Sequence, residues 1–89
     1  MPSSILMISN RLGLHARAAA KFVQMASRFA SEVSVEKDGN AVNGKSIMGI
    51  MMLAAAQGAE IEIRTEGEDA DEALASLESL VTSRFGEAG

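Results

Sequence analysis

Two stretches of this 89-residue chain alternate strictly between apolar and polar or charged side chains, Glu32-Val33-Ser34-Val35-Glu36 and Glu60-Ile61-Glu62-Ile63-Arg64. Successive side chains of a strand point to opposite faces, so a period of two marks strands with one buried and one wet face. A sheet wet on one side is antiparallel, because parallel sheets are covered on both. Its dry face needs a cover, and segments of helical period supply one. From Ala16 onward the apolar positions are Ala19, Phe22, Val23, Ala26 and Phe29, with Lys21, Gln24 and Arg28 elsewhere around the helix. A later helix presents Ala73, Leu74, Leu77, Leu80 and Val81. Asp69 with Glu72 three residues on has the pattern of a capping box at its start.

The remaining segments fall between these. Residues 4–9 read as a strand with apolar side chains on both faces, and residues 10–14 as a loop marked by Asn10 and Gly13. Asp38-Gly39 is a two-residue hairpin turn, with a short returning strand over residues 40–43. A short helix runs from Ile47 to about Leu53, and Gln57-Gly58 ends that segment. The order is β-α-β-β-α-β-α. It predicts an α+β fold, a two-layer open-faced sandwich in which three helices cover one face of a four-stranded antiparallel sheet. Residues 1–89 suit one domain.

Composition removes several function classes. There is no cysteine, so no disulfide framework and no thiolate metal site. The net charge is −4 and the only aromatics are three Phe, which is not the basic, stacking surface of a nucleic-acid binder. The longest stretch free of charged or strongly polar residues, residues 47–56, is half of the about 20 residues that a membrane span needs. The N-terminus has no basic region ahead of its short apolar run, unlike a signal peptide. A cytoplasmic protein without membrane insertion is expected. Glu66, Glu68, Asp69, Asp71 and Glu72 gather at a helix start, where carboxylates are stabilised without an ion, and no metal or cofactor is expected.

The sole histidine, His15, stands in Gly13-Leu14-His15-Ala16-Arg17 where the loop becomes a helix. Free amides and the helix dipole favour an anion there. Arg17 in the first turn opposes the dipole at a cost of about 0.3–1 kcal/mol. A phosphate would reverse that cost, since a guanidinium can hold its oxygens in a charge-assisted fork. Neutral imidazole is a nucleophile, and the positive end of the helix favours that neutral form. The pattern points to an anion attached to the ring or beside it.

The segment Asn10-Arg11-Leu12-Gly13-Leu14-His15-Ala16-Arg17 resembles the active-site segment of the HPr family, the histidine-containing phosphocarriers of the bacterial phosphotransferase system. Lys45-Ser46-Ile47-Met48-Gly49 is similar to that family's regulatory serine segment, and Gly58-Ala59-Glu60-Ile61 and Gly67-Glu68-Asp69 match as well. The resemblance spans nearly the whole chain and implies the same fold. It implies that enzyme I, charged by phosphoenolpyruvate, phosphorylates His15 on Nδ1, that Arg17 stabilises the phosphoryl group, and that IIA-type proteins receive it. On this reading the chain is a phosphorylated intermediate and not an enzyme, working as a monomer. Ala18 departs from the family, which usually has proline there. A nitrogen-regulatory homologue, which phosphorylates regulators in place of sugar carriers, is the alternative within the family.

Ser46 fits the N-cap of the short helix. The resemblance adds a phosphorylation site for an ATP-dependent HPr kinase/phosphorylase. In that helix Ile50 and Leu53 suit the core, while Ile47, Met48 and Met51 fall toward another side as a docking patch for several partners. The family meets enzyme I there and along the first helix, so Lys21, Gln24 and Lys45 join the patch, with Gln24 uncharged. The string Gly39-Asn40-Ala41-Val42-Asn43-Gly44-Lys45-Ser46 also matches the phosphate-loop pattern of nucleotide-binding proteins. The Asp38-Gly39 turn and the returning strand claim the same residues, which argues against a small nucleotide-binding protein. A plain interaction module with an incidental His15 is the remaining rival.

Overall fold

The strands that hold the two alternating stretches, β2 (Glu32–Lys37) and β4 (Glu60–Glu66), lie side by side at the centre of an antiparallel sheet. The computed structural model describes residues 2–88. Strand β1 (Ser3–Met7) flanks β4 and β3 (Asn40–Asn43) flanks β2, giving the order β1-β4-β2-β3. Val35 lies opposite Ile63 and Val33 opposite Thr65, and all four are buried on the covered face. Glu32, Arg64 and Glu66 are exposed on the other. Helices α1 (Ala16–Ala26), α2 (Ile47–Met52) and α3 (Ala70–Thr82) form the second layer, and a 3-10 turn (Arg84–Gly86) follows α3. The fold is the expected open-faced sandwich.

Strand β1 is shorter than expected. Ile5 and Met7 face solvent, whereas Ile8 is fully buried beyond the strand. Its backbone leaves the sheet to exchange 2.8 Å hydrogen bonds with the loop before β4, from Ile8 N–H to Ala59 O and from Gly58 N–H to Ile8 O. The hairpin turn is as read: Asp38 (φ 52°) and Gly39 (φ 83°) are both left-handed, the geometry that matches strand twist. This turn and β3 absorb the phosphate-loop string, and the helix after it has only six residues.

Two local readings are corrected. Phe29 is not on the face of α1. The helix ends at Ala26, where the bonds tighten to the third residue back, Arg28 N–H to Met25 O and Phe29 N–H to Ala26 O at 3.2 Å each. Phe29 then lies half-buried in the turn leading to β2. Asp69 stands at the N-cap of α3, but its side chain caps nothing there and there is no capping box. Its carboxylate accepts from Ala30 N–H and Ser31 N–H at 2.9 Å each, and from the Ser31 hydroxyl. Three donors at the entrance of β2 outweigh the one it would meet in its own helix.

The core contains Phe22 and Ala26 of α1, Ile50 of α2, Leu77 and Val81 of α3, and Phe85 from the closing turn. Arg84 and Phe85 both have left-handed backbones, with φ of 59° and 55°. That conformation costs about 1–2 kcal/mol per residue. Full burial of a Phe side chain contributes about 1.5–3 kcal/mol and offsets most of it. The chain end is thereby pinned against α1.

Candidate functional site

The loop before α1 is held by a glycine that nothing larger can replace. Gly13 has φ of +65°, and a Cβ there would collide with the carbonyl oxygen of Ala55. That same carbonyl accepts from Leu14 N–H at 2.8 Å. The buried Asn10 side chain donates to Gly13 O at 2.8 Å. So clamped, the loop delivers His15 to the N-cap of α1 in extended conformation, φ −73° and ψ 177°. Its ring makes no capping hydrogen bond to the helix it starts. The first helical bond runs from Ala19 N–H to His15 O at 2.8 Å. The amides of Ala16, Arg17 and Ala18 are therefore left without an intrahelical acceptor.

His15, Arg11, Leu12, Arg17, Lys21 and Glu87 share a shallow cleft of about 830 Å³. Arg17 is exposed and forms no ion pair among the described residues, so its guanidinium is available to a ligand. Lys21 is engaged, donating to Phe85 O at 2.6 Å. Ala18, where the resemblance has proline, is fully buried in the first turn of α1.

The sequence reading missed Glu87 and gave Asn10 only a loop's role. Glu87 Oε2 lies 2.5 Å from Nε2 of His15, and Oε1 accepts from Asn10 Nδ2 at 2.9 Å. The Asn10 hydrogen bond first, then that of His15 and the nearby positive charge of Lys21, hold the Glu87 carboxyl below its ordinary value. Glu87 is thus ionised at neutral pH and can only accept. The shared proton then sits on Nε2, and in neutral imidazole Nδ1 keeps the lone pair. No local pattern signals this contact, which links residues 72 positions apart.

Around α2 the expectations divide. Ser46 is the N-cap, its hydroxyl oxygen accepting from Gly49 N–H at 3.1 Å. Ile50 (0%) and Leu53 (6%) are buried as expected of core residues, while Ile47 (45%), Met48 (74%) and Met51 (44%) are exposed. Met52 (77%), outside the expected patch, is exposed as well. Gln24 is exposed on α1. Lys45 is half-buried and donates to Phe29 O at 2.8 Å, so it braces the turn after α1. Among the described residues no group of carboxylates and histidine is arranged to hold a metal, and no helix is long and apolar enough to cross a membrane.

Sheet, helices and a cationic cleft around one histidine define the class, an open-faced α+β phosphocarrier. A family model described as the PTS HPr component phosphorylation site matches residues 3–83. A phosphocarrier protein HPr of Neisseria meningitidis is 59% identical over 80 residues, 90% of each chain. The crystal structure of HPr-C-His from Thermoanaerobacter tengcongensis superposes with a TM-score of 0.97, at 49% identity and covering all of both chains. A structure of an HPr dimer from the same organism gives a TM-score of 0.79 at 50% identity, over 98% of this chain and 100% of that one. The chain belongs to the HPr family of the phosphotransferase system, and carrying phosphoryl groups is the role that membership gives it.

Proposed function

We propose that His15 is the group that carries the phosphoryl, accepting it on Nδ1 from phosphorylated enzyme I and yielding it to IIA-type proteins. The observation that carries this reading is the ring itself. It stands at the open start of α1 with Nε2 2.5 Å from Glu87 Oε2, and an imidazole that donates from Nε2 keeps its lone pair on Nδ1. In the transfer, Nδ1 attacks phosphorus as the bond from phosphorus to the donor breaks, and the proton stays on Nε2. Such reactions depend on positioning and charge stabilisation. Arg17 and the free amides of α1 are placed to take the phosphoryl oxygens. The protein regains its starting state only by giving the group away, so it is a stoichiometric intermediate and not an enzyme. It works as a monomer in the cytoplasm. Incubation with enzyme I and phosphoenolpyruvate, followed by mass spectrometry, tests the assignment. Phosphate on any residue other than His15 overturns it.

Partners dock on the exposed Ile47, Met48 and Met51 with Lys21, Gln24 and Lys45 at the margin. An HPr kinase/phosphorylase acting on Ser46 regulates that docking. A phosphate adds a charge of about −2 beside a surface that must lose water on binding. The helix start tolerates that charge, so the fold survives while an acidic partner is repelled. Phosphoserine, or Ser46→Asp as a weaker mimic, slows transfer from enzyme I, and the effect shrinks as salt rises. Parent-like transfer by both forms would leave Ser46 a helix cap only.

A further inference from the structure

We infer that Glu87 is a positioning residue for phosphoryl transfer, fixing the His15 tautomer and balancing the charge that grows on the ring. This rests on the reading of His15 as the acceptor. Three anchors bring the carboxylate into place. Phe85 is buried in the core, Lys21 donates to the Phe85 carbonyl, and Asn10 donates to Glu87 Oε1. Asn10 is fully buried and its Oδ1 has no partner among the described residues. Both hydrogens of its side-chain amide donate within the fold. One clamps Gly13 and the other holds Glu87.

A neutral imidazole has two tautomers, and only the one with hydrogen on Nε2 leaves Nδ1 nucleophilic. The Glu87 contact selects that tautomer. When Nδ1 bonds to phosphorus with the proton retained on Nε2, the ring takes on positive charge. The other charges on the cleft, Arg11, Arg17 and Lys21, are all cationic and suit the phosphoryl oxygens, not the ring. Glu87 is the carboxylate beside it, in the part that the buried aspartate plays toward histidine in a catalytic triad. Both the side chain of Glu87 (15% exposed) and that of His15 (28%) are shielded enough for the pair to act as a unit.

The test compares the parent, Glu87→Gln and Glu87→Ala with two phosphoryl donors, enzyme I with phosphoenolpyruvate and the small molecule phosphoramidate. Ring ¹⁵N shifts read the tautomer, and a melting curve checks the fold. In the parent the proton is on Nε2. In Glu87→Ala both tautomers appear, and phosphorylation slows by roughly tenfold with either donor, while the protein stays folded at a somewhat lower melting temperature because Asn10 loses one acceptor. Glu87→Gln, whose carbonyl still accepts the hydrogen bond, recovers the tautomer and part of the rate. Parent-like rate and tautomer in Glu87→Ala overturn the inference while leaving the carrier reading intact. Slowing with enzyme I alone also overturns it, since Glu87 would then serve docking. A parent that takes no phosphate on His15 overturns both readings.

Discussion

Helices α1 and α3 begin in opposite ways. At α3 the N-cap Asp69 is an ionised group consumed by structure, with three donors of residues 30 and 31 converging on its carboxylate. At α1 the N-cap His15 gives its helix no side-chain bond, and an arginine sits in the first turn where it repels the dipole. The two starts show where this small domain forgoes stability. The Asp69 carboxylate is fully engaged inside the fold, whereas α1 presents an imidazole that caps nothing and a guanidinium without an ion pair among the described residues. The start of α2 lies between, with Ser46 capping its own helix through a single bond. A helix start with an arginine free of ion pairs suits an incoming anion, whereas one whose N-cap carboxylate is committed to a neighbouring loop holds that loop in place.

This contrast breaks first at His15. His15→Ala abolishes phosphoryl acceptance from enzyme I while the melting temperature falls only slightly, because the ring caps nothing and gives up a single contact, that with Glu87; mass spectrometry and phosphorus NMR read the first and calorimetry the second. A fully phosphorylated alanine variant would show that the open start of α1 is not the acceptor. Arg17→Ala comes next. Loss of one charge-assisted contact of about 1.5 kcal/mol slows transfer about tenfold. The fold is kept or slightly firmer, since a cation leaves the positive end of the helix. Unchanged transfer rates would remove Arg17 from the mechanism.

At the other helix start the effects are on stability. Hydrogen bonds, chiefly from the Ser31 hydroxyl and then from the Ala30 amide, hold the Asp69 carboxyl below its ordinary value. A depressed folded-state value means that the unfolded chain binds the proton more readily. The stabilisation is therefore full above the ordinary carboxylate range and is lost as pH falls through the depressed value. Asp69→Asn lowers the melting temperature at neutral pH and flattens its fall on acidification, with phosphorylation of His15 retained. A melting temperature with the same acid dependence as the parent would remove Asp69 from that role. Ser46→Ala, which loses one bond in place of three, has the smallest effect. It costs about 1 kcal/mol, or about 4–8 °C for a domain of this size, and leaves unregulated transfer at the parent rate. A larger loss of transfer than of stability would mean that Ser46 itself touches the partner.

Much of this was legible without coordinates, for local reasons. The alternations at Glu32–Glu36 and Glu60–Arg64 depend only on which face each side chain meets, so they name the central strands and the covered face. The Asp38-Gly39 turn follows from two left-handed positions. Gly13, His15 and Arg17 fall within one loop and one helical turn, so their shared chemistry is a matter of short-range spacing. Ile50 against Met48 and Met51 is equally a matter of helical angle.

Tertiary structure decided what distance along the chain hides. Whether Phe29 stays on α1 depends on how the helix tightens at its end, a balance of single hydrogen bonds that periodicity does not register. Asp69 beside Glu72 has the letters of a capping box, but its carboxylate goes to Ser31, 38 residues away, because three donors wait there. Lys21 and Lys45 read as free surface cations, yet each holds a backbone carbonyl that packing brings within reach. Glu87 is the plainest case. Nothing in the last residues marks a partner for His15, and the contact exists because Phe85 is drawn into the core and Asn10 reaches out to the carboxylate. The sequence by itself determined the sheet, its covering helices and the placing of His15 and Arg17 at one helix start, since each is written in neighbours a few residues apart. Only the fold decided which carboxylate meets the imidazole, because that depends on the packing of two chain segments that share no local pattern.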